Sequence, residues 1–111
     1  MKKEMKIDRK DWEKMGAYVK VAYMAVIFAE AEVGKNIGES KSETKLLNKA
    51  YEDVKKAKNQ LDELVCRIDD DNHVIGDEAI RVFFGDYIGE QPKYARELAD
   101  CLAESLLPMY G

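Results

Sequence analysis

Apolar residues crowd one stretch of the chain, 15–33, where Lys20 is the only charge before Glu30. A helix that is apolar on nearly every side has to be covered all round, either by lipid or by the rest of a bundle. The stretch falls short of the ~20 apolar residues of a membrane span and has charged flanks. It therefore predicts the central helix of a bundle. Within helix one, residues 11–33, Trp12, Met15, Val19, Ala22, Val26, Ala29 and Val33 alternate three-residue and four-residue steps. Asp8 or Asp11 suits the N-cap, Gly34 suits the C-cap, and the loop is expected over 34–39. Helix two, opened by a Ser40–Glu43 capping box or by Ser42, carries the same alternation through Leu47, Ala50, Val54, Ala57, Leu61, Leu64 and Ile68.

A short loop makes the two helices antiparallel neighbours. Folding the chain about Gly38 sets Ala29 against Leu47, Val26 against Ala50, Ala22 against Val54 and Val19 against Ala57, a small side chain facing a larger one in each layer. Met15 and Trp12 with Leu61 and Leu64 fill the open end. The same register brings Tyr23 beside Tyr51, Asp11 near Arg67 and Glu30 near Lys45.

Tyr18, Val21, Met24, Ile27 and Phe28 lie off this seam and call for a second cover. A turn over 69–76 leads to a short helix three, capped by Asp77 and carrying Ile80, Phe83, Phe84, Tyr87 and Ile88. After a break at 89–92, helix four runs over about 92–107 with Leu98, Leu102 and Leu106 along one side, and Pro108 ends it. The expected fold is all-α: a small bundle of about four helices built on a long antiparallel helical hairpin. It forms a single domain over 1–111, with 1–10 as a lead-in, 11–68 as the hairpin and 77–107 as two shorter covering helices.

Composition supports a globular chain, with 46% hydrophobic and 36% charged residues. The basic opening has no apolar segment behind it, so it is not a secretory signal, and the cytoplasm is the expected location. Cys66 and Cys101 sit among apolar residues without a paired-cysteine motif and read as reduced core residues. Charge is unevenly placed: residues 1–68 carry 15 Lys and Arg against 12 Asp and Glu, and residues 69–111 carry 3 against 10. An acidic end of this kind suits a basic partner.

Candidate chemistry is thin. The run Asp69, Asp70, Asp71 resembles part of a calcium loop, but the alignment places Arg67 where the first carboxylate ligand belongs. His73 is the single histidine, which rules out a multi-histidine metal site within one chain. No phosphate loop or nucleophile motif is present, so neither a metal, a cofactor nor an enzymatic activity is expected. The lysines at 41, 45, 49, 55, 56 and 58 are interrupted by carboxylates and read as a solvated face rather than a nucleic-acid surface.

The leading expectation is a non-catalytic regulator or inhibitor that binds a larger, basic-surfaced protein through Phe83, Phe84, Asp86, Tyr87 and Glu90. By association only, such a profile is shared by many phage and mobile-element proteins. A homodimer is a second expectation, because a hairpin with leftover apolar surface commonly pairs with a copy of itself. The alternative, from a different class, is a bundle that sequesters a small anionic molecule or nucleotide between Tyr18, Lys20, Tyr23 and Tyr51.

Overall fold

Asp8 opens the first helix from an extended backbone (φ -67°, ψ 155°), and its carbonyl accepts the Trp12 N–H at 3.0 Å. Its carboxylate makes no capping bond. A computed structural model of the chain describes residues 6–72 and 74–110, with side chains over 6–69 and 74–105. The architecture is all-α: α1 (Arg9–Ile37), α2 (Ser42–Asn72), a 3₁₀ helix (Gly76–Arg81) and α3 (Gln91–Tyr110). Close packing of α1 on α2 makes the helical hairpin on which the bundle is built. None of the described helices is long and apolar enough to cross a membrane.

The hairpin turns later than the glycine pattern suggested. α1 runs through Gly34 to Ile37, and Gly38, at φ 109°, takes the left-handed position, its N–H donating to the Gly34 carbonyl at 3.0 Å. Gly34 is instead buried in the helix, with Thr44 and Glu39 against it. Beyond the turn, α2 begins at Ser42, and Thr44 donates its hydroxyl to the Gly38 carbonyl at 2.8 Å. The register about Gly38 does place Tyr23 on Tyr51, the rings stacked at 5.6 Å. Glu30 accepts from Asn48 at 2.9 Å rather than meeting Lys45, and the ion pairs at the open end join Arg9 to Glu13 and Glu78 rather than Asp11 to Arg67.

The core sits at that open end. Trp12, Val65, Ile75, Ala79, Val82, Phe83 and Ile88 form it, with Ile7, Val19, Leu61, Leu64, Cys66, Ile68 and Phe84 packed around it. Trp12 meets Phe83 edge to face at 6.1 Å, an arrangement that adds ~0.5–1.5 kcal/mol to simple burial.

Three expectations are corrected by this packing. Helix three is only the 3₁₀ helix followed by a bent segment over 82–88, and Ile80 is left 63% exposed. Ala57 is exposed while Lys58 and Val65 are buried, because α2 faces both α1 and the 75–88 segment and so turns its stripe by one position. Cys101 is exposed and Leu102 is 46% exposed, since every residue of α3 over 99–105 lies beyond the core. Described α3 also continues past Pro108 to Tyr110, where a proline forfeits only one late helical bond. The side chains of Asp70, Asp71, His73 and Leu106 lie outside the described residues.

Candidate functional site

Buried charge, rather than any catalytic motif, organises the region around 82–91. A polypeptide segment with little regular structure must still satisfy its backbone groups, and between residues 75 and 90 four polar side chains of the helices do so. Asp69, in the last turn of α2, accepts the Ile75 N–H at 2.6 Å and the Gly76 N–H at 2.8 Å, starting the 3₁₀ helix. Glu13, buried on α1, accepts from Arg9 at 2.8 Å and from the Glu90 N–H at 3.0 Å, and Arg9 reaches on to Glu78 at 2.6 Å. Lys20, also buried, donates to the Arg81 carbonyl at 2.6 Å, the Asp86 carbonyl at 3.0 Å and the Gln91 side-chain oxygen at 3.0 Å.

Gln91 completes the third cluster. With no solvent exposure, its Oε1 also accepts the Ile88 N–H at 2.9 Å, and its Nε2 donates to the Val82 carbonyl at 2.8 Å. The approach is close because position 16 of α1 has no side chain: a Cβ there would stand 2.1 Å from the Val82 oxygen and 2.4 Å from Gln91 Nε2. Glycine is the residue that leaves room.

Pinning the segment in this way leaves an open cavity of about 240 Å³ between α1, α2 and residues 83–87. Tyr23 and Met24 on α1, Lys58 on α2 and Phe84 and Tyr87 on the segment line it, together with Lys20. Lys58 is 7% exposed, and its ammonium lies 3.8 Å from the centre of the Tyr23 ring and 4.3 Å from that of Phe84. Lys20 stands 4.9 Å from the Tyr87 ring. Desolvation, then the nearby Arg81 and Lys58 charges, pulls the Lys20 ammonium down to about 8, with Asp86 opposing. Lys58 is likewise lowered, by burial, against the pull of Asp62. Burial and Glu63 raise Asp62, whose Oδ1 is enclosed without a hydrogen-bond partner. The Tyr23 hydroxyl is raised by its bond to the Tyr51 hydroxyl at 3.4 Å and by burial.

No family model, no curated protein and no solved structure matches the chain. The geometry alone therefore carries the functional reading.

The two sets of residues singled out from the sequence are partly merged by the fold. Phe83 is fully buried against Trp12 and has no surface to offer a partner, whereas Phe84 and Tyr87 are half-buried and Asp86 and Glu90 exposed. Lys20 and Tyr23 line the same cavity as Phe84, Asp86 and Tyr87. Tyr18 does not: it is 36% exposed beneath Lys14. Tyr51 backs Tyr23 from outside the cavity wall.

Lys58, Gln91 and Glu13 were not foreseen. For Lys58 a signal existed, since Tyr51, Val54, Lys58, Leu61, Val65 and Ile68 also alternate three and four, a second seam one position from the first. Nothing in the sequence marks Gln91. Wider grooves at the hairpin turn, between Glu30 and Lys45, and on α2 beside Arg67 hold no buried charge.

Proposed function

We propose that the protein acts without catalysis, as a regulator or inhibitor that binds a larger protein through the face beside this cavity. One observation carries the reading: the cover over α1 stops at the cavity, and the apolar surface continues beyond it. Met24, on the cavity wall, is 48% exposed, and Phe28, one turn further along α1, is 65% exposed. Contiguous apolar surface of this kind marks interaction sites more often than free surface. Phe84 and Tyr87 extend it across the cavity mouth, and Asp86 and Glu90 give it an acidic rim that suits a basic target.

The Lys20 amine is lowered in the way reactive lysines are, but all three of its donors are committed to backbone and Gln91 oxygens. That favours a structural tether over a nucleophile.

A Phe28→Glu variant tests the reading, because the substitution sits on exposed surface and leaves the core intact. Capture of a specific protein from the native host should be lost in Phe28→Glu and retained in Ile80→Glu, a change at another exposed apolar residue. Equal capture by both variants would contradict the assignment. A second copy of the chain is the other occupant considered for this face, and sedimentation would report it as a dimer that Phe28→Glu converts to monomer.

A further inference from the structure

We propose that the cavity between α1, α2 and residues 83–87 is a receptor for a compact carboxylate with an apolar body, held by the Lys58 ammonium. Lys58 is more than nine-tenths buried yet lines the cavity, and it makes neither a hydrogen bond nor an ion pair with any described residue. The rings of Tyr23 and Phe84 attract its charge but supply no acceptor for its three N–H groups. The side chain is packed away while its ammonium still reaches the cavity, so its N–H groups are held in place and open to an incoming anion.

Lys20 differs in being saturated. Its donors are taken by Arg81 and Asp86 carbonyls and by Gln91, so it contributes positive potential without a free N–H. Arg81 adds to that potential, its ion pair with the exposed Asp86 carboxylate being long, at 3.9 Å. Asp62, one turn along α2 from Lys58, is the competing carboxylate within the protein, and the two form no ion pair in the structure.

The chemistry of the ligand follows from the walls. A phosphate dianion is recognised by several donors acting together, commonly arginine forks or helix N-termini, and here one ammonium is open. A carboxylate needs no more. Met24 and the Tyr23, Phe84 and Tyr87 rings provide an apolar lining for the body of the acid. The volume of about 240 Å³ lies below the ~300–1,000 Å³ of pockets that bury drug-sized ligands, which selects a molecule the size of a single ring bearing one carboxylate.

The inference stands apart from the protein-binding reading, since it is tested on the isolated chain with small acids. Benzoate, benzamide and inorganic phosphate are titrated into the ¹⁵N-labelled protein while backbone amide resonances are followed. Benzoate should shift the amides of residues 83–87 saturably, and benzamide and phosphate should not. Lys58→Met, which keeps the unbranched apolar stem without the charged tip, should raise the benzoate dissociation constant at least tenfold. Asp62→Asn, which removes the competitor, should lower it. The assignment is overturned by unsaturable shifts with benzoate, by equal binding of benzamide, by tighter binding of phosphate, or by unchanged affinity in Lys58→Met. Should Lys58→Met fail to fold, the contrast of benzoate with benzamide in the wild-type protein still decides the matter.

Discussion

Individual residues account for most of what is unusual in this chain. A lysine in the middle of an apolar helix is tolerated because three oxygens converge on it, yet burial still favours its neutral form. Its folded pKa of about 8 lies below the 10.5 of an exposed lysine, so between those values the unfolded chain holds the extra proton and stability rises with pH. Relative to a Lys20→Met variant, the wild-type protein should therefore gain about 2 kcal/mol between pH 7.5 and pH 9.5, as measured by urea unfolding. A pH-independent difference between the two proteins would remove the desolvation argument.

Position 16 makes a steric prediction of the same kind. An alanine Cβ would overlap the Val82 carbonyl and the Gln91 amide, so Gly16→Ala should cost ~3 kcal/mol by displacing the segment from α1. A thermal midpoint equal to that of the wild-type protein would show that the contact yields freely.

At the scale of elements, the hairpin was legible because two long helical stretches and one tight turn specify it together, although Met15, Ala22 and Ala29 of the expected α1 stripe are exposed. The Tyr23–Tyr51 stack follows directly from that pattern. Its turn was misplaced because Gly34 and Gly38 both suit a C-cap, and sequence does not distinguish a glycine needed for φ from one needed for close approach. The two roles predict different costs. Gly38→Ala forces an L side chain to φ 109° and should lose ~1–3 kcal/mol. Gly34→Ala meets only Glu39 Cγ at 3.2 Å and Thr44 Cγ2 at 3.5 Å and gains helix propensity, so it should lie within ~0.5 kcal/mol of wild type. Urea unfolding of the pair checks this, and the reverse ranking would restore the earlier turn.

The 82–91 segment was not legible for a different reason. Its conformation is set by Lys20 and Glu13, which act across more than 60 residues of sequence, and by Gln91, and none of these leaves a periodic trace. Phe83 and Phe84 illustrate the consequence. Adjacent aromatics look alike in sequence, but one fills the core and the other faces Lys58.

The whole molecule is elongated, with a radius of gyration of 16.6 Å against the ~13 Å of a compact chain of this length. The core occupies the open end of the hairpin, while the turn half of the hairpin and the second half of α3 extend past it. That uneven distribution is what leaves Met24 and Phe28 uncovered and gives the proposed interaction face its place beside the cavity. The Phe28→Glu variant should accordingly unfold within ~0.5 kcal/mol of the wild-type protein, since surface changes away from packed or bonded groups have small effects.

Everything proposed for this face depends on the 82–91 segment being locked to α1 through the Lys20–Gln91 pair, because that lock shapes the cavity and positions Phe84 and Tyr87. A double-mutant cycle with Lys20→Met and Gln91→Leu measures it directly by urea unfolding. The two residues are joined by a direct hydrogen bond, so their effects should be non-additive, with a coupling of ~1–3 kcal/mol. Additivity within ~0.3 kcal/mol would mean that the segment is not held in this way, and the account of the site would be wrong.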